Sequence, residues 1–212
     1  MNIIKPQKLL LNNIEKVENL LEEIKKDDSI ENKIIEEVDD QNIELYDIKF
    51  ENVIFNNVKI IDSKLEKNTF INVQFINCNF SNTSFENSSF IRCEFNNCKI
   101  TGCSFIDTRI YNVTFNDSNA NYINLALASL ENILFNNTLL RNSCFQENKL
   151  KNVYLEKSDL TQAQIINTSL KNIDLSDCII EGIAISLQDI KGAIINEFQA
   201  MDLLYLLGVK VK

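Results

Sequence analysis

Large apolar residues recur at every fifth position from Leu45 to Ile190, and this spacing is the strongest constraint on the fold. The thirty consecutive positions are all apolar, and only Ala120 among them is small. A period of five fits neither the 3.6-residue period of an α-helix nor the two-residue period of a β-strand. It predicts a chain that turns a corner every five residues and directs one bulky side chain inward from each segment.

A second, smaller class of side chain lies two residues before each large apolar residue. Val53 and Thr83 are examples, and small or β-branched residues of this kind suit a crowded inward position. The residue before it is Asn or Asp in most repeats, as at Asn52, and such short polar side chains favour turns because they hydrogen-bond to nearby backbone. Asn68, Asn148 and Gln188 occupy the small inward position, where we expect them to bond to backbone at the corners.

The composition excludes several classes of function. The 212 residues include no His, no Trp, one Pro and four Gly, so the commonest general base and metal ligand is absent and glycine-rich phosphate loops are not available. A net charge of −9 argues against direct nucleic-acid binding. No apolar run approaches the ~20 residues of a membrane span. We therefore expect a cytoplasmic protein that is not an enzyme, carries no cofactor or metal, and binds neither nucleic acid nor membrane directly.

The six cysteines have a structural interpretation. Five of them occupy the small inward position and are predicted to be buried packing residues: Cys78, Cys93, Cys98, Cys103 and Cys178. The spacing of the middle three is that of the repeat, not of a metal-ligand motif. Cys144 lies outside this register and is predicted to be exposed, either as a tolerated surface thiol or with a regulatory or cross-linking role.

The N-terminal segment, residues 1–40, follows a different pattern. Apolar residues on one stripe predict a helix spanning residues 7–26, and a second short helical turn is predicted over residues 31–38. The stripe consists of Leu10, Ile14, Val17, Leu21 and Ile24. This helix is expected to close the open end of the rod, to pack along the rod, or to pair with a copy of itself as a coiled coil.

The C-terminal segment, residues 193–212, is predicted to be a capping helix followed by a short strand. Asn196 and Gln199 have the spacing of a capping box, and Gly208 is placed to end the helix. A helix that is apolar nearly all round needs two partners, which we expect to be the last coil and a second subunit. The predicted dimer interface consists of Phe198, Met201, Leu203, Leu204 and Leu207.

The repeats resemble those of a known family. The motifs Phe75–Asn77–Cys78 and Phe95–Asn97–Cys98 are similar to the repeats of pentapeptide-repeat proteins. The resemblance implies an all-β solenoid, a right-handed quadrilateral β-helix with four pentapeptides per coil. Residues 41–192 would then form about 7–8 coils, and because the register never slips we expect no projecting loop.

The C-terminal sequence from Gly192 to Val211 resembles that of the Qnr/MfpA-type quinolone-resistance group of this family. The resemblance implies a tail-to-tail homodimer that binds DNA gyrase or topoisomerase IV at the site normally filled by DNA, and so protects the enzyme from quinolones or other poisons. Two features differ from Qnr proteins of Gram-negative bacteria: no loop interrupts the rod, and a helical segment precedes it.

The outward charges are distributed unevenly over the four sides of the predicted rod. Face 1 contains Leu45 and every twentieth residue after it, face 2 contains Phe50, face 3 Phe55 and face 4 Ile60. The faces carry net charges of −4, +4, −4 and 0, respectively. This unevenness is either the ordinary variation of solvated surfaces or the basis of duplex mimicry.

If duplex mimicry is correct, the predicted contacts are Glu86 and Asp107 on face 1 and Glu94 and Asp117 on face 3. The alternative function is a non-catalytic interaction scaffold of unknown partner, with the N-terminal helix as its docking element.

Overall fold

The computed structural model describes residues 3–6, 15–17, 19–25 and 27–208. Short β-strands account for most of the regular structure, and three short α-helices and a 3₁₀-helix lie near the two ends. The strands are β1 Glu15–Val17, β2 Ser29–Glu31, β3 Lys33–Glu36, β4 Asp39–Gln41, β5 Glu44–Tyr46, β6 Lys49–Glu51, β7 Ile54–Asn56, β8 Lys59–Ile61, β9 Lys64–Glu66, β10 Thr69–Ile71, β11 Gln74–Ile76, β12 Ser89–Asn96, β13 Arg109–Asn116, β14 Ser129–Asn136, β15 Cys144–Gln146, β16 Lys149–Glu156, β17 Gln164–Ile166 and β18 Ala184–Ile185. The helices are α1 Leu20–Ile24, α2 Leu187–Ile190, α3 Glu197–Asp202 and the 3₁₀-helix Leu204–Leu207.

Each residue of the rod lies beside the residue twenty positions later in the chain. Parallel pairing joins Phe50 to Phe70 and Phe70 to Phe90 on face 2, and the other three faces pair with the same offset. Four five-residue segments therefore complete one turn, and the chain forms a right-handed solenoid of about 8 turns. The predicted fold class is confirmed, and no loop interrupts the register between residues 45 and 185.

The interior is filled by stacked phenylalanine rings. On face 3 the rings of Phe75, Phe95 and Phe115 form a column, with centroids 4.3 and 4.8 Å apart and interplanar angles of 12° and 10°. All three side chains are buried. Rings on adjacent faces meet edge-on, as Phe75 and Phe80 do at 87°. Stacked and edge-to-face pairs are favourable ring geometries, so the column contributes beyond the apolar area it buries.

The corners explain why Asn and Asp recur. From Asn32 to Asn172, every fifth residue has a positive φ, between 48° and 69°. This left-handed conformation is costly for most side chains, and Asn and Asp tolerate it best after glycine. Twenty of these twenty-nine corner residues are Asn or Asp, and one is Gly102. The repeated polar residue therefore lowers the strain of the turn at most corners.

The small inward residues hydrogen-bond to the backbone of the coil below. The Thr83 hydroxyl donates to the Ile60 carbonyl at 2.9 Å, and the Cys103 thiol donates to the Phe80 carbonyl at the same distance. The Asn68 side chain donates to the Leu45 carbonyl at 3.1 Å and accepts from the Ile48 N–H at 2.8 Å. The five inward cysteines are buried free thiols, and the predictions for them, for Asn68 and for Asn148 are confirmed. The prediction for Gln188 is wrong, because α2 replaces the coil there and leaves this side chain exposed.

The N-terminal segment differs from the predicted helix. Within residues 7–26, residues 15–17 form β1, which pairs with β3, and only Leu20–Ile24 is helical. Residues 7–14, including Leu10 and Ile14, lie outside the described residues. The predicted turn over residues 31–38 is wrong, because β2 and β3 continue the coil register with buried Ile30 and Ile35. The rod thus begins before residue 41.

Helix α1 covers the first coil. Asn19 caps its N-terminus by accepting from the Glu22 N–H, and Leu20 is completely buried. Leu21 and Ile24 also pack against the core. Of the predicted roles, closing the open end of the rod is the one that this packing fits.

The C-terminal helix has the predicted caps, and the short strand predicted to follow it falls on residues 209–212, outside the described residues. Asn196 and Gln199 form a capping box, and Gly208 ends the 3₁₀-helix with φ 66°. Gln199 is buried, although it is one of the few polar residues of this helix. Its buried side-chain amide donates to the Leu175 and Cys178 carbonyls, both at 2.7 Å. These bonds attach the helix to the last coil, whose carbonyls have no further coil to accept from.

Candidate partner-binding surface

Neither a metal-binding cluster nor a membrane-spanning helix is present in the described part of the chain. Among the described residues, no cluster of three or more Cys, Asp or Glu side chains could hold a metal ion. A groove of about 670 Å³ lies beside α2 and is lined by polar side chains such as Ser169, Lys171 and Ser186. None of the helices in the described segments has the length and apolarity needed to cross a membrane. The remaining candidate site is the outer surface of the rod.

Several acidic residues near the ends of the rod are neutralised by a cation from a neighbouring coil. Lys59 pairs with Asp39 at 2.9 Å, and Lys64 pairs with Glu44 at 2.9 Å. Toward the C-terminal end, Lys151 pairs with Glu131 at 2.6 Å. Each pair joins residues twenty positions apart, so it bridges two adjacent coils. Such exposed pairs contribute little to stability, but they cancel the local negative charge.

Three acidic residues in the middle of the rod lack such a partner among the described residues, as do others nearer its ends, such as Glu66 and Asp174. Glu86, Asp107 and Asp117 form no ion pair with any residue in the described ranges. Glu86 accepts from the Ser104 hydroxyl at 2.7 Å, and Asp117 accepts from the Asn137 amide at 2.7 Å. Asp107 and Asp117 are exposed. Three of the four predicted contacts therefore leave negative charge available to a partner.

The structure does not bring the four predicted contacts together on one patch. Glu86 lies on face 1, and Asp107 is at the corner where face 1 meets face 2. Glu94 lies on face 3, and Asp117 is at the corner between faces 3 and 4. Because faces 1 and 3 are opposite sides of the rod, a partner must surround it to contact both pairs.

Glu94 is not exposed, contrary to the expectation for a contact residue. Only 8% of it is accessible, and residues 3–6 contact this part of the rod. Lys5 Nζ lies 3.4 Å from Glu94 Oε1, and Pro6 is buried. The Ile4 N–H donates to Asn112 Oδ1 at 3.3 Å. No periodicity in the sequence signals this contact.

Asn112 is at a break in a column of stacked asparagines. At the same corner in lower coils, Asn52 donates to Asn32 and Asn72 donates to Asn52, each at 3.1 Å. Below Asn112 the column holds Arg92, which donates to Asn72 and has no acceptor to offer. Asn112 Nδ2 is therefore buried without a partner, beneath the segment that satisfies its oxygen.

The C-terminal helix presents an apolar surface to solvent. Phe198, Met201 and Leu207 of the predicted dimer interface are 78, 58 and 64% exposed. Leu203 packs against the core of its own chain, and Leu204 is half-buried. The helix therefore has an inner face toward the last coil and an outer apolar face.

Cys144 is half-buried, whereas the sequence predicts an exposed thiol. Partial burial raises its pKa above the ordinary value. It is the only one of the six cysteines that is not fully buried, and all six lie within the described residues. Its backbone pairs with that of Asn124 on face 1.

Two surface residues of potential functional importance escape the sequence analysis. Tyr122 and Leu127 occupy consecutive corner positions on either side of one face 1 segment, and they are 62 and 51% exposed. The signal is present in the sequence, because these two positions hold apolar residues where Asn or Asp is the rule.

Comparisons with known proteins identify the repeat. A model described as pentapeptide repeats (9 copies) matches residues 45–121, and one described as a pentapeptide repeat region matches residues 88–165. Together they span more than half of the chain. A search of curated protein sequences finds no match.

Several solved structures are similar to the chain. A trypsin-treated form of QnrB1, a plasmid-mediated fluoroquinolone resistance protein, is 17% identical, with 82% of this chain and 98% of that chain covered and a TM-score of 0.47. HetL, a protein involved in heterocyst differentiation regulation in the cyanobacterium Nostoc, is 12% identical, with 80% and 90% covered and a TM-score of 0.37. A protein of the Arabidopsis thaliana thylakoid lumen is 15% identical, with 60% and 72% covered and a TM-score of 0.22.

Proposed function

The chain belongs to the pentapeptide-repeat family, and we propose that it is a non-catalytic rod that binds a type II DNA topoisomerase, DNA gyrase or topoisomerase IV, in place of duplex DNA. Binding at the DNA site would protect the enzyme from quinolones or other poisons that act on its DNA complex. The observation that carries the proposal is the set of unneutralised carboxylates at mid-rod, Glu86, Asp107 and Asp117.

The C-terminal sequence supports this choice of partner. Residues 192–211 resemble the end of the Qnr/MfpA-type group, whose members bind these enzymes. We propose that Phe198, Met201 and Leu207 form the centre of a tail-to-tail homodimer interface, since their outer face is apolar and exposed. A dimer would double the length of the rod, so that a single particle could occupy an extended DNA-binding groove.

Charge density limits how far the imitation of DNA extends. About 8 turns at ~4.8 Å each give a rod of roughly 38 Å. Duplex DNA carries one charge per ~1.7 Å, or about 22 over that length. Residues 41–212 carry a net charge of only −4. The affinity must therefore depend on shape and on a few well-placed carboxylates rather than on the total charge.

The proposed contacts are those that remain accessible. Glu86 and Asp107 would contact the enzyme from face 1, and Asp117 from the opposite side of the rod. Glu94 can take part only after residues 3–6 leave this part of the rod. The enzyme's positively charged DNA groove would surround the rod, which is how residues on opposite faces can both be contacts.

A supercoiling assay with purified DNA gyrase tests the proposal. We expect micromolar protein to inhibit supercoiling or to restore it in the presence of a quinolone, and the triple variant E86Q/D107N/D117N to lose at least tenfold in potency. The matched control is Glu44→Gln, which removes a carboxylate of face 1 that Lys64 already neutralises. If the wild-type protein causes no inhibition and gives no protection, the topoisomerase is rejected as the partner. The alternative, a scaffold for another partner, then remains.

A further inference from the structure

Tyr122 and Leu127 are large apolar residues at corners of the rod, whereas the other described corners hold polar, charged or glycine residues. Of the twenty-nine consecutive corner residues with positive φ, twenty are Asn or Asp and one is Gly102. Six others are charged or polar: Glu37, Lys67, Arg92, Glu147, Lys157 and Gln162. Tyr122 and Leu127 are the only two with apolar side chains, and they follow each other in one coil.

The backbone strain at these two residues is not offset by burial of their side chains in the rod. Their φ values are 60° and 63°, a conformation that is a steric outlier for bulky residues. Their backbones form the regular inter-coil bonds, since the Tyr122 N–H donates to the Arg141 carbonyl and the Leu127 N–H to the Gln146 carbonyl, both at 2.8 Å. Asparagine would form the same bonds with less strain. The fold therefore gives no reason for two exposed apolar residues here.

The surroundings of the pair have the composition of a binding interface. Between them on face 1, the outward side chains of Asn124 and Ala126 are small and uncharged. Asp107 lies one coil below Leu127 in the same corner column, and Glu147 lies one coil above it. An apolar centre containing a tyrosine, with charged residues at the rim, is typical of protein–protein contact sites.

We propose that Tyr122 and Leu127 are the apolar anchor of the partner surface on face 1, and that they contact a segment of DNA gyrase in which an apolar side chain is flanked by Arg or Lys. The argument for this occupant is charge complementarity, because Asp107 and Glu147 border the anchor and face 1 carries a net charge of −4. The inference rests on the proposed function. It adds a contact that duplex DNA does not offer, and so explains how a weakly charged rod selects one enzyme.

Asparagine at positions 122 and 127 tests binding in a variant that we expect to fold normally. The double variant Y122N/L127N places at both corners the residue that the fold favours, so we expect its melting temperature to equal or exceed that of the wild type. Its affinity for purified DNA gyrase, measured by calorimetric titration of the full chain, should fall at least tenfold. The control Gln162→Asn makes the same backbone exchange in the corner column of Tyr122, two coils away, and should bind as the wild type does.

Each outcome of the titration supports or rejects the inference. If the wild type binds gyrase and Y122N/L127N binds equally well, the anchor is wrong and the proposed function stands. If the wild type does not bind gyrase, the proposed function fails, and the anchor as assigned here fails with it. Loss of binding in Gln162→Asn as well would attribute the effect to corner geometry and reject the anchor.

The thiol of Cys144 provides an independent measurement on the same face. Its strand pairs with Asn124, so it lies one coil above the segment between Tyr122 and Leu127. We expect saturating gyrase to slow the reaction of Cys144 with a maleimide at least fivefold in the wild type and not in Y122N/L127N. An unchanged rate in a wild-type complex that is shown to form would place the contact on another face and overturn the inference.

Discussion

Lys5 Nζ lies 3.4 Å from Glu94 Oε1, so a residue near the start of the sequence covers a carboxylate in the middle of the rod. The Lys5 side chain is 73% exposed, whereas that of Glu94 is only 10% exposed. The pair contributes no more than about 1 kcal/mol to stability, as exposed pairs generally do. Its main effect is to remove Glu94 from the acidic surface of face 3.

Removal of residues 1–6 should therefore strengthen gyrase binding. The deletion exposes the Glu94 carboxylate and the Asn112 side chain, which Lys5 and Ile4 now cover. We expect a three- to tenfold lower dissociation constant in a titration against gyrase. Glu94→Gln, introduced into the deletion variant, should abolish the gain. A deletion variant with unchanged affinity would show that Glu94 makes no contact with the enzyme.

Asn68 should be among the most sensitive polar residues of the core. It is completely buried, and its side chain satisfies the Ile48 N–H and the Leu45 carbonyl. Asn68→Ala leaves both backbone groups unpaired and should lower the free energy of unfolding by about 2–4 kcal/mol. Urea denaturation followed by circular dichroism gives the value.

A serine at this position is the comparison for Asn68→Ala. Ser88 occupies the next coil of the same column and donates to the Leu65 carbonyl at 3.2 Å. Asn68→Ser should therefore cost less than Asn68→Ala. Equal losses would mean that cavity volume, and not hydrogen bonding, determines the cost.

Truncation of a ring in the phenylalanine column should destabilise the fold, because the ring contacts on both sides are lost. Phe95 stacks on Phe75 at 4.3 Å and on Phe115 at 4.8 Å. Phe95→Ala should lower the free energy of unfolding by about 3–5 kcal/mol, because removal of the ring leaves a cavity between Phe75 and Phe115. Phe95→Leu should cost less, since Leu155 fills the same column three coils later. Denaturant titration of both variants distinguishes a cavity effect from a loss of stacking alone.

The buried thiols predict a loss of stability at alkaline pH. Burial raises the pKa of Cys93 and of Cys103 to about 12. An unfolded thiol ionises with a pKa of ~8.5, so between these values the unfolded state releases protons that the folded state retains. Stability then falls as pH rises, by about 1.4 kcal/mol per pH unit for each thiol and about 3 kcal/mol for the two.

Denaturant titrations between pH 8 and 11 measure this slope. The variant C93S/C103S keeps an inward hydrogen-bond donor at both positions and should show a shallower dependence. Below pH 8 the two proteins should respond to pH alike, because both thiols are then protonated in either state. An identical slope in the variant would assign the alkaline loss to other groups.

The outer face of α3 predicts a dimer that depends on Phe198. This side chain is 78% exposed, and Met201 lies beside it at 58%. The variant F198S/M201S should be a monomer in multi-angle light scattering at concentrations where the wild type is a dimer. Its intrachain stability should hardly change, because neither residue contributes to the core. A wild-type monomer at high concentration would contradict the proposed interface.

The columns of the rod could be predicted from sequence because one interval determines all of them. Once four five-residue segments complete a turn, Phe75 must lie beside Phe95, and the net charge of each face follows. The start of the rod was missed because Asp40 interrupts the apolar series, although Ile30 and Ile35 keep its register. Local helical periodicity in residues 31–38 was weaker than the pairing of β2 and β3 with the next coil.

Contacts that do not repeat could not be predicted. The position of Lys5 on Glu94 joins residues 89 positions apart without any periodic signal. The sequence identifies Gln199 as a capping-box residue, but it does not show that its amide also donates to two carbonyls of the last coil. Such contacts depend on three-dimensional neighbours that appear only once the rod is built.

The offset of twenty residues also separates the two tasks that each segment performs. The inward residues, such as Phe95 and Thr83, pack and hydrogen-bond one coil against the next, whereas exposed ion pairs between outward residues add little to stability. Single substitutions of outward residues can therefore create or remove a binding partner without destabilising the solenoid.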